Sequence, residues 1–245
     1  MAALLHRPDV RLFTVLLAFI CLLADQFFYS RFKSAMQVYV WNIVALWFFT
    51  GGAVFLIYRS GLKLSDFGQT LGTYPGTLIV SLILVLLIAV LVLLTKLQKP
   101  LVLKLKIKGK PGAKGSAKIA SNVRKLLPST RAERIAVLPL ALTAGLCEEF
   151  LYRGWLLNLT GYALKSVWAG LLISSVLFGL AHLYQGRRGM LGTGILGLVF
   201  GLTYIAAGSL VPAQVLHAAL DLNNALSLGK IVSHAESASA PAPAT

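Results

Sequence analysis

Glu148-Glu149-Phe150-Leu151-Tyr152-Arg153 places two carboxylates and a guanidinium inside an apolar run from about residue 135 to residue 157. In hydrocarbon each such charge costs roughly 2.5 to 3.5 kcal/mol unless it is paired, so this stretch indicates a functional site. On a helix Arg153 lies four residues after Glu149, which puts the two side chains on one face as natural partners. Glu148 falls about 100° away around the helix, outside that pair, and is left free to titrate or act as a base. A buried ion pair that only fixes helix packing is the alternative, and it does not explain Glu148.

The composition of the whole chain indicates that most of its length is apolar enough to lie in a membrane. Of its 245 residues, 57% are hydrophobic and 13% are charged, and the mean hydropathy is +0.78. A single soluble domain with that composition has too little polar surface to cover its core. A helical membrane span needs about 20 mainly apolar residues. We therefore predict an all-α, polytopic transmembrane bundle of about seven spans, near residues 12–29, 38–58, 77–95, 135–157, 165–184, 190–207 and 209–228.

Three regions follow from this pattern. Residues 1–134 hold the amino-terminal spans and a lysine-rich loop, and residues 135–228 hold the later spans with the expected functional core. Residues 229–245 form an Ala-, Ser- and Pro-rich tail that we expect to be disordered. No separate soluble domain is predicted.

The net charge of +15 is concentrated between residues 96 and 134. By the positive-inside rule this loop is cytoplasmic, which predicts an amino terminus outside and a carboxyl terminus in the cytoplasm. Lysines next to a membrane are attracted to anionic lipid at about 1 kcal/mol each. The loop lacks the interleaved aromatic residues of a nucleic-acid platform. The expected partner of this loop is therefore membrane lipid, with no nucleic acid.

Further titratable residues lie in two later spans. His182 follows Phe178 near the end of the fifth span, and His217 and Asp221 share one face of the seventh because they are four residues apart. Such groups are costly in an apolar helix. Together with Glu148 they are expected to surround one water molecule or one metal ion inside the bundle. Unrelated buried polar groups are the competing interpretation.

These residues resemble the motifs of the CPBP family of intramembrane proteases, also called the CAAX prenyl protease type II or Abi family. The E-E-x-x-x-R motif is found at Glu148, Glu149 and Arg153, and the F-x-x-x-H motif at Phe178 and His182. The third motif, H-x-x-x-N or D, is found at His217 and Asp221. The resemblance covers roughly residues 139–228, and the ordered set of motifs is more specific than any one of them.

The resemblance implies intramembrane hydrolysis of a peptide bond, with Glu148 and His182 activating water. Glu149 and Arg153 would hold the glutamate helix in place, and His217 with Asp221 would stabilise the oxyanion. An ionised Asp221 accepts hydrogen bonds and donates none, so it is less suited to that role than Asn and would instead orient His217.

The metal requirement is left open by the sequence. The family has been described both as metal-dependent and as a metal-free glutamate-type protease. Glu148, His182 and His217 would form an acceptable zinc set with one open position, although no H-E-x-x-H signature is present. We favour metal-free chemistry, with zinc as the divalent ion expected if a metal is used.

The predicted function is a CAAX-protease-like endopeptidase that cuts near the end of a membrane-associated or lipid-linked substrate, in a bacterial-type inner (plasma) membrane. Two alternatives belong to other classes of protein. A non-enzymatic immunity or partner protein would keep the fold without turnover, and loss of Glu148 or His182 would have indicated it. A proton-coupled transporter would show internal repeats with broken helices, and no convincing repeat is present.

Overall fold

The computed structural model describes residues 1–28, 32, 34–71 and 127–237, with scattered positions between 76 and 90. Most of the predicted third span and lysine-rich loop, and residues 238–245 of the predicted tail, lie outside the described residues.

The described part of the chain is helical and contains no strand, which confirms the all-α prediction. A π-helical segment, Phe150–Leu157, joins α4 to α5 without a break, and two short 3₁₀ helices cover Leu64–Phe67 and Leu183–Gln185. The α-helices are α1 (Ala2–Leu5), α2 (Pro8–Phe28), α3 (Ala35–Arg59), α4 (Arg131–Glu149), α5 (Asn158–Ala163), α6 (Val167–Ala181), α7 (Gly186–Ala207) and α8 (Val211–Ser237).

Three helical stretches within the described residues are long and apolar enough to cross a membrane: Ala35–Arg59, Arg131–Ala163 and Leu183–Ala207. Helix α6 is apolar but shorter. These helices support an integral membrane protein, and the total of about seven spans stays a prediction. Helix α8 continues past the predicted end of the last span at residue 228, into the segment that we expected to be a disordered tail.

Local capping fixes where the helices of the core begin and end. Thr130 and Glu133 form a reciprocal capping box at the start of α4. The Ser166 hydroxyl accepts from the backbone N–H of Ala169 at the start of α6. Helix α6 ends at Ala181 with His182 as its C-cap, so this imidazole lies at the end of an apolar helix.

Close helix contacts bring the motif-bearing helices together. A Cβ at Gly145 of α4 would lie 2.6 Å from the carbonyl oxygen of Gln214 in α8. A Cβ at Gly179 of α6 would lie 2.9 Å from the carbonyl oxygen of Met190 in α7. Side chains would hold these backbones apart, so glycine permits the close approach. Helix α4 thus packs directly against α8, and α6 packs directly against α7.

Candidate active site

The centre of the site is a buried ion pair between Glu149, at the end of α4, and Arg153, in the π-helical segment that follows. Arg153 Nη1 donates to Glu149 Oε1 over 3.0 Å, and both side chains are fully buried. Arg153 Nη2 donates to the carbonyl oxygen of Gly197 in α7, over 2.9 Å. The guanidinium therefore links α4 to α7. A lone buried charge would be strongly destabilising, and here each charge has a partner.

Aromatic rings cover the faces of this guanidinium. Arg153 Cζ lies 4.4 Å from the ring centroid of Phe178, 5.4 Å from that of Phe200 and 5.8 Å from that of Tyr152. Cation–π contacts of this kind are strongest where water is excluded. The rings keep the ion pair dry and restrict the positions that the guanidinium can take.

His217 joins the same carboxylate from α8. Its Nδ1 lies 2.8 Å from Glu149 Oε1, and its ring is stacked on Phe200 with centroids 4.9 Å apart and planes 13° apart. The other ring nitrogen, Nε2, lies 3.5 Å from Asp221 Oδ2 and 3.9 Å from Glu148 Oε2. Because an ionised carboxylate only accepts, His217 donates from Nδ1 to Glu149. The imidazole therefore sits between three carboxylates.

Glu148 takes no part in the Glu149–Arg153 pair. Its side chain is 18% exposed, and its Oε2 is a buried atom with no hydrogen-bond partner among the described residues. A buried carboxylate oxygen without a donor is costly unless another molecule supplies one. Glu149 Oε2 also lacks a partner in the described part of the chain, but Glu149 Oε1 is already bonded to Arg153 and His217. Glu148 is therefore the glutamate that is available for a ligand.

His182 is held by its own helix. Its Nδ1 lies 2.8 Å from the carbonyl oxygen of Phe178, one turn earlier. A carbonyl oxygen only accepts, so we assign the proton to Nδ1, which leaves the lone pair on Nε2. The Phe178 ring packs beside the imidazole with centroids 4.8 Å apart. His182 is therefore oriented with Nε2 as its open acceptor.

A cavity of about 410 Å³ brings three of the predicted residues to one surface: Glu148, His182 and Asp221 line it together. Further polar lining comes from Asn42, Tyr184, Gln185 and Asn224, and the apolar lining comes from Leu46, Leu127, Val137, Leu140, Ala141, Ala144 and Ala225. His217 lies behind this wall, within 3.9 Å of Glu148. The four residues predicted to surround one water molecule therefore lie in one neighbourhood, with His217 in contact with the cavity through its two carboxylate neighbours.

The cavity runs along α4 toward the end of the bundle at which that helix begins. Its lining extends from Glu148 back to Val137, which is about 16 Å at 1.5 Å per residue. Exposed arginines at the starts of α4 and α7 mark the same end: Arg131, Arg134, Arg187 and Arg188. The cavity thus leads from a basic end of the molecule to an unpaired carboxylate.

Comparison with known families gives a match over the part of the chain that carries this site. Residues 130–223 match the family described as type II CAAX prenyl endopeptidase Rce1-like. This part of the chain is therefore similar to Rce1-like endopeptidases, and we call residues 130–223 the Rce1-like domain. Comparisons of the chain with curated proteins and with solved structures gave no match.

The Rce1-like domain contains all the residues of the three predicted motifs, from Glu148 to Asp221. The predicted resemblance to the CAAX protease family, which we placed at roughly residues 139–228, is confirmed. The amino-terminal helices α1 to α3 lie outside the match.

A metal ion in the Rce1-like domain would need several His, Cys, Asp or Glu side chains gathered around one point. Within the described residues, no group of three His, Cys, Asp or Glu side chains is arranged to hold a metal ion. The zinc set of Glu148, His182 and His217 stays a prediction, as does the metal-free alternative. No step proposed below passes through a metal.

Four features of the Rce1-like domain escaped the sequence analysis. The hydrogen bond between His217 and Glu149 joins two helices, and spacing along one helix cannot reveal it. Phe200 lies in no motif, yet it stacks on His217. Gly197 also lies outside the motifs, and its carbonyl accepts from Arg153. The π-helical turns at Phe150–Leu157 begin directly after Glu149, and π-helical turns are frequent at functional sites.

Proposed function

We propose that this protein is an intramembrane endopeptidase that hydrolyses a peptide bond near the end of a membrane-associated or lipid-linked substrate. The observation that carries the proposal is the cavity that Glu148 and the oriented His182 line together, since Glu148 Oε2 has no hydrogen-bond partner among the described residues. The Rce1-like match supports a CAAX-type endopeptidase. A free carboxylate beside an oriented imidazole is a suitable pair for activating water.

In this mechanism Glu148 and His182 hold the attacking water between them. Glu148 accepts a proton from the water as its oxygen bonds to the carbonyl carbon of the scissile peptide. The resulting tetrahedral intermediate carries a negative charge on the former carbonyl oxygen. Glu148 then gives the proton to the amide nitrogen as the C–N bond breaks, which yields one new carboxyl terminus and one new amino terminus.

The oxyanion requires a donor, and His217 supplies it. Carboxylate oxygens face both of its ring nitrogens, so the imidazolium, which donates from both, satisfies them together. Glu149 holds Nδ1, and Nε2 is directed to the region of Glu148 and Asp221. A preorganised charged donor of this kind stabilises developing negative charge without reorganisation.

The substrate enters from the basic end of the bundle. An extended peptide rises about 3.3 Å per residue, so a path of about 16 Å holds roughly five residues. The cavity wall combines apolar side chains with amides that can pair with peptide groups. By the positive-inside rule the exposed arginines support an entrance on the cytoplasmic side. The proposed orientation keeps the carboxyl terminus in the cytoplasm and the amino terminus outside.

The test is cleavage of membrane-anchored peptides by the purified protein in liposomes, with lipid-linked CAAX-type peptides and unmodified transmembrane peptides in parallel. We expect wild type to cleave at least one class, and Glu148→Gln and His182→Ala to lose about 10²-fold or more in kcat. Matched controls are Asp66→Asn and His6→Ala, since both residues are exposed and lie outside the match. A chelator arm, with zinc added back, decides whether a metal is required. Full cleavage by both site variants would overturn the proposal.

A further inference from the structure

Beyond the motif residues, one buried amide joins the two helices that carry the carboxylates and His217. Gln214 lies in α8 and is 4% exposed. Its Nε2 donates to the carbonyl oxygen of Leu146 in α4 over 3.2 Å and to Gln69 Oε1 over 3.1 Å. Both amide hydrogens are therefore used, and one of them crosses from α8 to α4.

The carbonyl that receives this bond lies at the change from α- to π-helix. The Phe150 N–H is shared between the carbonyl oxygens of Cys147 and Leu146. Because the two carbonyl oxygens share one N–H, each can accept a further hydrogen bond. Side chains commonly donate such bonds at helix ends. Gln214 supplies Leu146 with a second donor, at the last turn before the π-helical segment.

The hydrogen bond from Gln214 to Leu146 joins the same two helices as the hydrogen bond between Glu149 and His217, one helical turn earlier on each. Leu146 lies one turn before Glu149 on α4, and Gln214 lies one turn before His217 on α8. Residues three apart share a helix face. The two hydrogen bonds therefore connect α4 and α8 at successive turns. Together they restrain both the rotation of one helix about its axis and its translation along the other.

The backbone supports the same contact. At Gly145 a Cβ would lie 2.6 Å from the Gln214 carbonyl oxygen and 2.8 Å from Cβ of Ala218. The helices touch here with no side chain between them, so the amide reaches the carbonyl directly.

We infer that Gln214 is a positioning residue that sets the register of α8 against α4, and thereby presents Glu148 and His217 to the cavity together. The inference rests on the proposed function for its effect on catalysis. Gln214 is not one of the described residues that line the cavity, so it acts through Leu146 and the π-helical segment.

The experiment compares Gln214→Met with Gln69→Met in the full-length protein in liposomes. Both substitutions remove the Gln214–Gln69 bond, and only Gln214→Met removes the bond to Leu146. We expect kcat to fall about tenfold or more in Gln214→Met with KM nearly unchanged, because small misplacements of catalytic groups have effects of that size. Gln69→Met is expected to stay near wild type in kcat.

A second readout does not depend on turnover. Amide hydrogen exchange of the peptides covering residues 146–157 is expected to be faster in Gln214→Met than in Gln69→Met and wild type. Equal exchange in the two variants would overturn the inference whether or not the protein cleaves peptides. Faster exchange without any cleavage by wild type would retain the register claim and reject the proposed function. Equal loss of kcat in both variants, in step with thermal stability, would assign Gln214 a purely structural role and overturn the inference.

Discussion

His217 donates from Nδ1 to Glu149 Oε1 over 2.8 Å, and Arg153 donates to the same oxygen over 3.0 Å. One buried carboxylate oxygen therefore orients both the guanidinium that links α4 to α7 and the imidazole of α8. The carboxylate is acceptor-only, so both partners are held with a defined hydrogen toward it. The second glutamate of the motif is an organising residue, and the first is left open to the cavity.

Replacing this organising carboxylate leaves two cations without their shared partner. In Glu149→Gln, the amide keeps an acceptor oxygen but loses the charge that balances Arg153 and His217. Breaking a buried charge pair costs about 3–5 kcal/mol. We expect a marked fall in the thermal unfolding temperature in detergent and loss of cleavage. Asp66→Asn, at an exposed carboxylate, is the control, and a Glu149→Gln protein as stable and active as wild type would contradict the assignment.

Asp221 occupies the place where the related motif also allows Asn. Its Oδ2 lies 3.5 Å from His217 Nε2, and its side chain is 45% exposed. Asn can donate to an oxyanion and an ionised Asp cannot, so Asp221→Asn is expected to keep or raise kcat. Steady-state kinetics in liposomes measure this. Asp221→Leu can neither accept nor donate a hydrogen bond, so it is expected to lower kcat. A large loss of kcat in Asp221→Asn would show that the negative charge itself is required.

Phe200 is expected to affect turnover through the imidazole on which it stacks. Phe200→Leu removes a ring contact worth about 0.5–1.5 kcal/mol and frees His217 to tilt, so we expect kcat to fall about tenfold. Phe67→Leu is the matched control: Phe67 is also fully buried and stacked, with Trp155 as its partner 5.7 Å away. Equal kcat in the two variants would contradict the claim that Phe200 positions His217 for turnover.

Gly197 leaves room for the guanidinium. A Cβ there would lie 3.1 Å from Arg153 Nη2 and 3.2 Å from Cα of Ser175, so Gly197→Ala is expected to displace Arg153, to destabilise the fold and to lower activity. Gly192→Ala on the same helix meets nothing within 4 Å. Because Ala is a better helix former by about 1 kcal/mol, that control is expected to be neutral or stabilising in thermal unfolding. A Gly197→Ala protein that behaves like Gly192→Ala would contradict the close approach.

Features set along one helix were predictable from the sequence. The four-residue spacing of Glu149 and Arg153 predicted their pairing, and the same spacing put His217 and Asp221 within 3.5 Å. The all-α fold followed from the apolar runs. In each case the relevant geometry is the repeat of a single helix, which local spacing determines.

Features set between helices were not predictable in the same way. The bond from His217 to Glu149 depends on how α8 meets α4, and that contact depends on Gly145 and Gln214. The π-helical turn has no local sequence signal that we recognised. Helix α8 also runs on to Ser237, past residue 228, where we placed the end of the last span.

The central claim is that Glu148 and His182 act on one water molecule, and a double-mutant cycle on peptide cleavage tests it most directly. The measurement is kcat for wild type, Glu148→Gln, His182→Ala and the combined variant in liposomes. Groups that act as a unit are strongly non-additive, so we predict that the combined variant is no slower than the slower single variant. Two single losses that multiply in the combined variant, or single variants that cleave at the wild-type rate, would contradict the claim.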